Sequence, residues 1–136
     1  MRIPASEEDD PAVVVDAWDG PVTFRIRASG LNRPLAVPER LWRVEPTSTT
    51  AVVTLPSHVF WSPAGARFDL SDHRARRLVY STVMLEGRPE DVVDYIDGGL
   101  LNEMWDDELW PRGIGNLWQP AVDAFRETNA QRRPVL

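Results

Sequence analysis

Up to about residue 70, apolar positions alternate with polar ones in short runs broken by proline and glycine; from Ser71 onward they recur every three or four residues. The first pattern predicts strands. In "AVVVDAWDGPVTFRIRA" the pair Asp19-Gly20 separates two β-rich runs, a strong hairpin signal. Val22, Phe24 and Ile26 alternate with Thr23, Arg25 and Arg27, so one face of that arm is buried and the other wet. "PERLWRVEP" sets Trp42 and Val44 against Arg43 and Glu45 and reads as a further half-buried strand. "TTAVVTL", "HVFWS" and "ARFDL" complete a set of four to six short, mostly antiparallel strands within residues 12–70. The prolines at 34, 38, 46, 56 and 63 belong at strand ends or edges, because proline has no N–H for a ladder.

The second pattern predicts three to four short helices within residues 71–128. Ser71 suits an N-cap, Ala75, Leu78, Val79, Thr82 and Leu85 share helical spacing, and Gly87 ends the run. In "RPEDVVDYIDGG", Pro89 suits the first helical position, Glu90 and Asp91 the first turn, and Gly98 a stop. A third helix spans Leu100 to Trp110, cut by Pro111, and a fourth starts at Pro120 with Ala121, Val122 and Phe125 turned inward. The fold class is therefore α+β, an N-terminal sheet covered by a C-terminal bundle in one domain over residues 11–130. Residues 1–10 read as a mobile acidic tail and residues 131–136 as a frayed end. Most of the six tryptophans belong near the sheet–helix interface, where their large area is best covered.

The densest cluster of candidate chemistry is "EMWDDELW". Leu101, Met104, Trp105 and Leu109 fall on one helical face, while Asn102, Glu103, Asp106 and Asp107 fall on the other. The carboxylates thus read as the solvated stripe of an amphipathic helix. Glu103 and Asp107 could share a hard cation only if a second element supplied more oxygens. Glu108 lies nearer the apolar seam and needs an arginine partner if it is buried.

Charge sharpens this picture. The 136 residues carry 15 cationic and 21 anionic side chains, a net charge of −6. Residues 1–10 hold −3, residues 11–70 hold +1 and residues 71–136 hold −4. Such a balance is a poor start for phosphate neutralisation. Every cation is arginine, so neither a P-loop lysine nor a Schiff-base lysine is available. With no cysteine there is no disulfide, thiolate metal site or thiol nucleophile. No apolar run approaches membrane-spanning length and "MRIPASEEDD" has no signal-like apolar stretch, which points to a cytoplasmic, non-membrane protein.

"DLSDHRARR" is the other candidate. His73, Arg74, Arg76 and Arg77 place positive charge at a helix start, against the macrodipole. Either a bound anion held by His73, Arg74 and Arg77 compensates, or pairing does, with Asp69, Asp72 or the acids of residues 86–109. The two histidines, His58 and His73, show no metal-ligand spacing, and His58 reads as hydrogen-bonded structure. Gly113 and Gly115 form no phosphate-binding fingerprint and read as a turn. The helix–glycine–helix of residues 88–110 would present acids to a DNA groove, which excludes groove reading.

No catalytic residue, metal ligand or cofactor is predicted. The expected function is a small acidic interaction module, of the antitoxin, immunity-inhibitor or accessory-subunit kind. It docks a basic protein through Asp94, Asp97, Glu103, Asp106 and Asp107. The alternative is a phosphate-ligand site, with possible acid–base use of His73, at Ser71–Arg77. A subunit of a larger assembly is a third reading, favoured if Trp110 or Trp118 is exposed.

Overall fold

The computed structural model describes residues 11–27, 35–63, 65–111 and 113–132, with residues 131 and 132 described by backbone alone. Strands β1 (Ala12–Ala17), β2 (Gly20–Arg27) and β3 (Leu35–Pro38) form an antiparallel sheet in the order β1-β2-β3. A 3₁₀ turn (Pro46–Thr50) leads into β4 (Val52–Thr54), which among the described residues pairs only with β5 (Arg67–Asp69). Four helices follow, α1 (His73–Glu86), α2 (Pro89–Tyr95), α3 (Gly98–Trp105) and α4 (Ile114–Arg132). The chain is α+β, but its strands divide into a three-stranded sheet and a separate two-stranded ribbon. That sheet is smaller than the four to six strands expected.

The β1–β2 hairpin forms where its sequence signal lies. Ala17 pairs with Gly20, so Trp18 and Asp19 make the turn, and Gly20 takes φ 127°, which a side chain would resist. Arg40 then clamps the turn, donating to both Asp19 carboxylate oxygens and to the Pro21 carbonyl at 3.0–3.4 Å. On the inner face Val22 and Phe24 are fully buried.

Two expected strands are absent as ladders. Residues 41–45 alternate in burial as predicted, with Leu41, Trp42 and Val44 buried and Arg43 and Glu45 exposed. Their backbone, however, bonds to Asp19, Asp97 and Gly98 rather than to a neighbouring strand. "HVFWS" is a turn, since Val59 and Phe60 both donate to the Pro56 carbonyl. Pro38, Pro46, Pro56 and Pro63 sit at ends or turns, whereas Pro34 lies outside the described residues.

The helix ends also differ from expectation in instructive ways. Ser71 does not cap α1, because its hydroxyl and N–H both go to Asp69 at 2.6 and 2.9 Å. Asp72 caps instead, accepting from Ala75 at 3.0 Å. Gly87 does end α1, but with φ −81°. Its smallness matters because a Cβ there would lie 2.6 Å from the Val83 carbonyl oxygen. α3 stops at Trp105 rather than Trp110, since the Trp110 indole folds back to donate to the Trp105 carbonyl at 3.0 Å. The two rings stack 5.3 Å apart. Three carboxylates in succession from Asp106 would also oppose continued helix through its negative end.

α4 starts six residues before Pro120. Gly113 (φ 90°) turns the chain, and Leu117 N–H donates to the Gly113 carbonyl at 3.1 Å. A proline inside a helix costs about 3 kcal/mol. Burying Ile114 and Trp118 completely outweighs that, because a full indole alone contributes about 4–5 kcal/mol of gross transfer energy. The helix reaches Arg132, beyond the start of the expected frayed end; the expected tail at residues 1–10 and the end at 133–136 lie outside the described residues.

The interior joins sheet to helices through aromatics in tilted contact. Trp42 lies between Phe24 (5.7 Å) and Trp118 (6.1 Å), and all three are fully buried. Both Trp42 and Trp118 bury an indole N–H without a partner. Each orphan costs about 1–3 kcal/mol, less than the ring's burial returns. The exposed indoles are Trp18 and Trp61, whereas Trp118 is buried and Trp110 half-buried.

Candidate functional site

Of the five carboxylates predicted to meet a partner, four lie at the surface. Asp94 is exposed on α2, and its carboxyl is raised above the usual range by partial burial, then by Asp91 and Glu90. Glu103 is exposed on α3, and Asp106 and Asp107 follow that helix's last residue. Asp106 pairs with Arg126 at 3.1 Å and stays 72% exposed. Among the described residues no cation pairs with Glu103, Asp107 or Asp94.

Asp97 belongs elsewhere. It is wholly buried and ties the two halves of the chain together. One oxygen accepts from the Arg43 guanidinium (2.9 Å) and the Val44 N–H (3.0 Å), and the other caps α3 through Leu100 N–H (3.0 Å). Its own N–H donates to the Tyr80 hydroxyl at 3.1 Å. Burial, the largest cause, pushes that hydroxyl up to about 12. Next door, Gly98 donates to the Trp42 carbonyl at 2.6 Å, and a Cβ there would sit 2.4 Å from the same oxygen. A buried carboxylate needs such donors to offset its desolvation, so Asp97 is withdrawn from the contact surface. The spacing Asp97 to Leu100 is that of an N-cap, and this was the one sequence signal for its role.

The helix-start cluster is engaged by the chain's own acids. Glu108, past the end of α3 with its side chain 15% exposed, accepts from His73 at 2.7 Å and from Arg77 at 3.2 Å, the arginine partner expected if it is buried. Arg76 donates to the Leu70 carbonyl, while Arg74 is exposed and has no ion pair among the described residues. At the N-terminus of α1 the Asp72 carboxylate holds the Ala75 amide. Both places an anion would need therefore carry negative charge already. His58 bonds to Asp91 at 2.6 Å, and Asp91 also accepts from Arg88 N–H at 2.9 Å. That contact fixes the 56–60 turn to α2. Among the described residues no group of three or more histidines and carboxylates is arranged to hold a metal ion.

Open space lies away from these residues. A cleft of about 450 Å³ runs between the outer face of the sheet and α4, with Arg25, Glu39, Asn116 and Pro120 on its walls. Arg25 and Glu39 face each other across 3.9 Å. A smaller depression of about 180 Å³ lies at the hairpin end of β1, bordered by Asp16, Trp18, Glu45 and Asp94. No pattern in the sequence announced it, since its four walls come from three separate segments. No helix is long and apolar enough to cross a membrane among the described residues. Comparison with protein-family models, with curated proteins and with solved structures found no match.

Proposed function

We propose that the protein is an acidic, non-catalytic interaction module that docks a basic protein partner through its helical half. An antitoxin, an immunity-type inhibitor or an accessory subunit works in this way. The observation that carries the reading is the set Asp94, Glu103 and Asp107, exposed carboxylates with no internal cation among the described residues. Asp106 joins them, since its pairing with Arg126 leaves most of it in water. Unpaired charge of one sign contributes little to a monomer's stability, but it accelerates and orients encounter with the opposite sign. The same acids repel a nucleic-acid backbone.

The variant Glu103→Arg/Asp106→Arg/Asp107→Arg tests this. It keeps the fold, judged by circular dichroism and melting temperature, because none of the three side chains is buried. It loses proteins that the unmodified chain captures, and the captured proteins are basic and released by moderate salt. Unchanged capture by the variant, or capture insensitive to salt, overturns the proposal.

A further inference from the structure

The hairpin strand β1 is the outer strand of its sheet, and among the described residues its edge is open. The Ile26 N–H donates to the Pro11 carbonyl at 3.0 Å, and the register pairs Val13 with Phe24 and Val15 with Val22. In an antiparallel ladder bonded pairs alternate, so Ala12, Val14 and Asp16 direct their N–H and C=O groups away from β2. No described residue bonds to those outward groups. Natural edges are normally blunted by charge, proline or a bulge. Here three valines run in succession, and Val14 remains 63% exposed. Helix α2 meets β1 near the turn, where Val93 and Asp94 stand beside Asp16 and Trp18.

We propose that this edge receives an extended, arginine- or lysine-bearing segment of a partner protein as a fourth strand. The backbone ladder along Ala12–Asp16 would supply pairing that any extended chain can make. Selection comes from the depression at the end of the strand. Asp16 and Asp94 have no ion pair among the described residues, and Glu45 adds a third carboxylate, already bonded to Thr47. No described arginine borders the depression, and Trp18, 61% exposed, is an indole within reach of a cation there. A basic side chain at that point meets opposite charge and an indole together. A second copy of the chain fits less well, because its own β1 carries one aspartate and no cation. This surface shares Asp94 with the proposed helical contact, but it uses none of Glu103, Asp106 and Asp107 and does not depend on them.

The test measures backbone amide exchange on the full-length chain, with and without a capped peptide of alternating arginine and valine. Its glutamate–valine counterpart serves as control. The arginine peptide slows exchange at Ala12, Val14 and Asp16, and the glutamate peptide does not. Val14→Pro removes an outward N–H from an edge position that tolerates proline, and it abolishes binding. The pair Asp16→Asn/Asp94→Asn weakens binding severalfold and decides the matter if the proline variant does not fold. The Glu103→Arg/Asp106→Arg/Asp107→Arg variant leaves peptide binding intact, which separates this site from those three acids. Three results overturn the proposal: no slowing at millimolar peptide, equal slowing by both peptides, or protection of the same amides by self-association without peptide.

Discussion

Replacing Asp97 by alanine isolates what joins the two halves of this protein. The substitution removes the cap of α3, a loss of about 1 kcal/mol. It leaves the buried Val44 N–H without an acceptor, which costs about 1–3 kcal/mol. Losing the ion pair to Arg43 adds less than about 1 kcal/mol, because that guanidinium side chain is half exposed. Removing a buried charge recovers part of its desolvation, so the expected total is about 2–4 kcal/mol. Against a typical stability of about 5–15 kcal/mol that is a large fraction. Urea unfolding followed by far-ultraviolet dichroism measures it, with an unchanged slope showing that both proteins unfold between similar states. Arg43→Ala is the companion variant. It leaves the carboxylate two backbone donors and lets water enter where the guanidinium stood, so it costs less than half as much. An Asp97→Ala loss below about 1 kcal/mol refutes the reasoning, and so does an Arg43→Ala loss equal to it.

Gly98→Ala forces a Cβ to within 2.4 Å of the Trp42 carbonyl oxygen and 2.8 Å of the Leu41 Cβ, so a loss of about 2 kcal/mol or more is expected in the same urea assay. Gly115→Ala, within α4 and with nothing inside 4 Å, gains about 0.5–1 kcal/mol instead. Tyr80 gives a pH dependence. Its hydroxyl, raised to about 12 when folded and ordinary when unfolded, stabilises the fold below pH about 10 by roughly 2–3 kcal/mol. That contribution disappears as pH rises from about 10 through about 12, so alkaline unfolding of Tyr80→Phe begins at higher pH than that of the unmodified chain. Glu108→Ala frees His73 and Arg77 and lowers stability by under about 2 kcal/mol, since both of those side chains are half exposed; the melting temperature reports it.

The local signals in the chain carried far. The hairpin signalled by Asp19-Gly20 and the first turn of α2 at Pro89, Glu90 and Asp91 were legible, because each depends on neighbours in sequence. What failed was every assignment that needed a distant partner. Residues 41–45 have the alternation of a strand, yet their backbone bonds are to Asp19, Asp97 and Gly98. Asp97 looks like any other acid of the helical half until its donors from residues 43 and 44 are in place. Pro120 looks like a helix start, and only the burial of Ile114 and Trp118 makes the earlier start favourable. At the candidate site, exposed Glu103 was foreseeable from periodicity, but Asp106 and Asp107 lie past the end of α3, where Leu109, expected on the apolar face, is exposed as well. The depression around Asp16, Trp18, Glu45 and Asp94 was not, because periodicity describes one element at a time.

The tilted contact of Trp42 with Trp118 gives the molecule its own optical gauge. One ring comes from before the helices and the other from the last of them, and they lie within range for their excited states to mix. The paired dichroic band of these two rings should therefore arise only when front and back of the chain have closed on each other, whereas the stacked Trp105–Trp110 pair reports on the helical half alone. Trp18 and Trp61, facing water, would emit as solvated dyes in every state. Assembly of the interior and events at the hairpin rim can thus be read at separate wavelengths without adding a label.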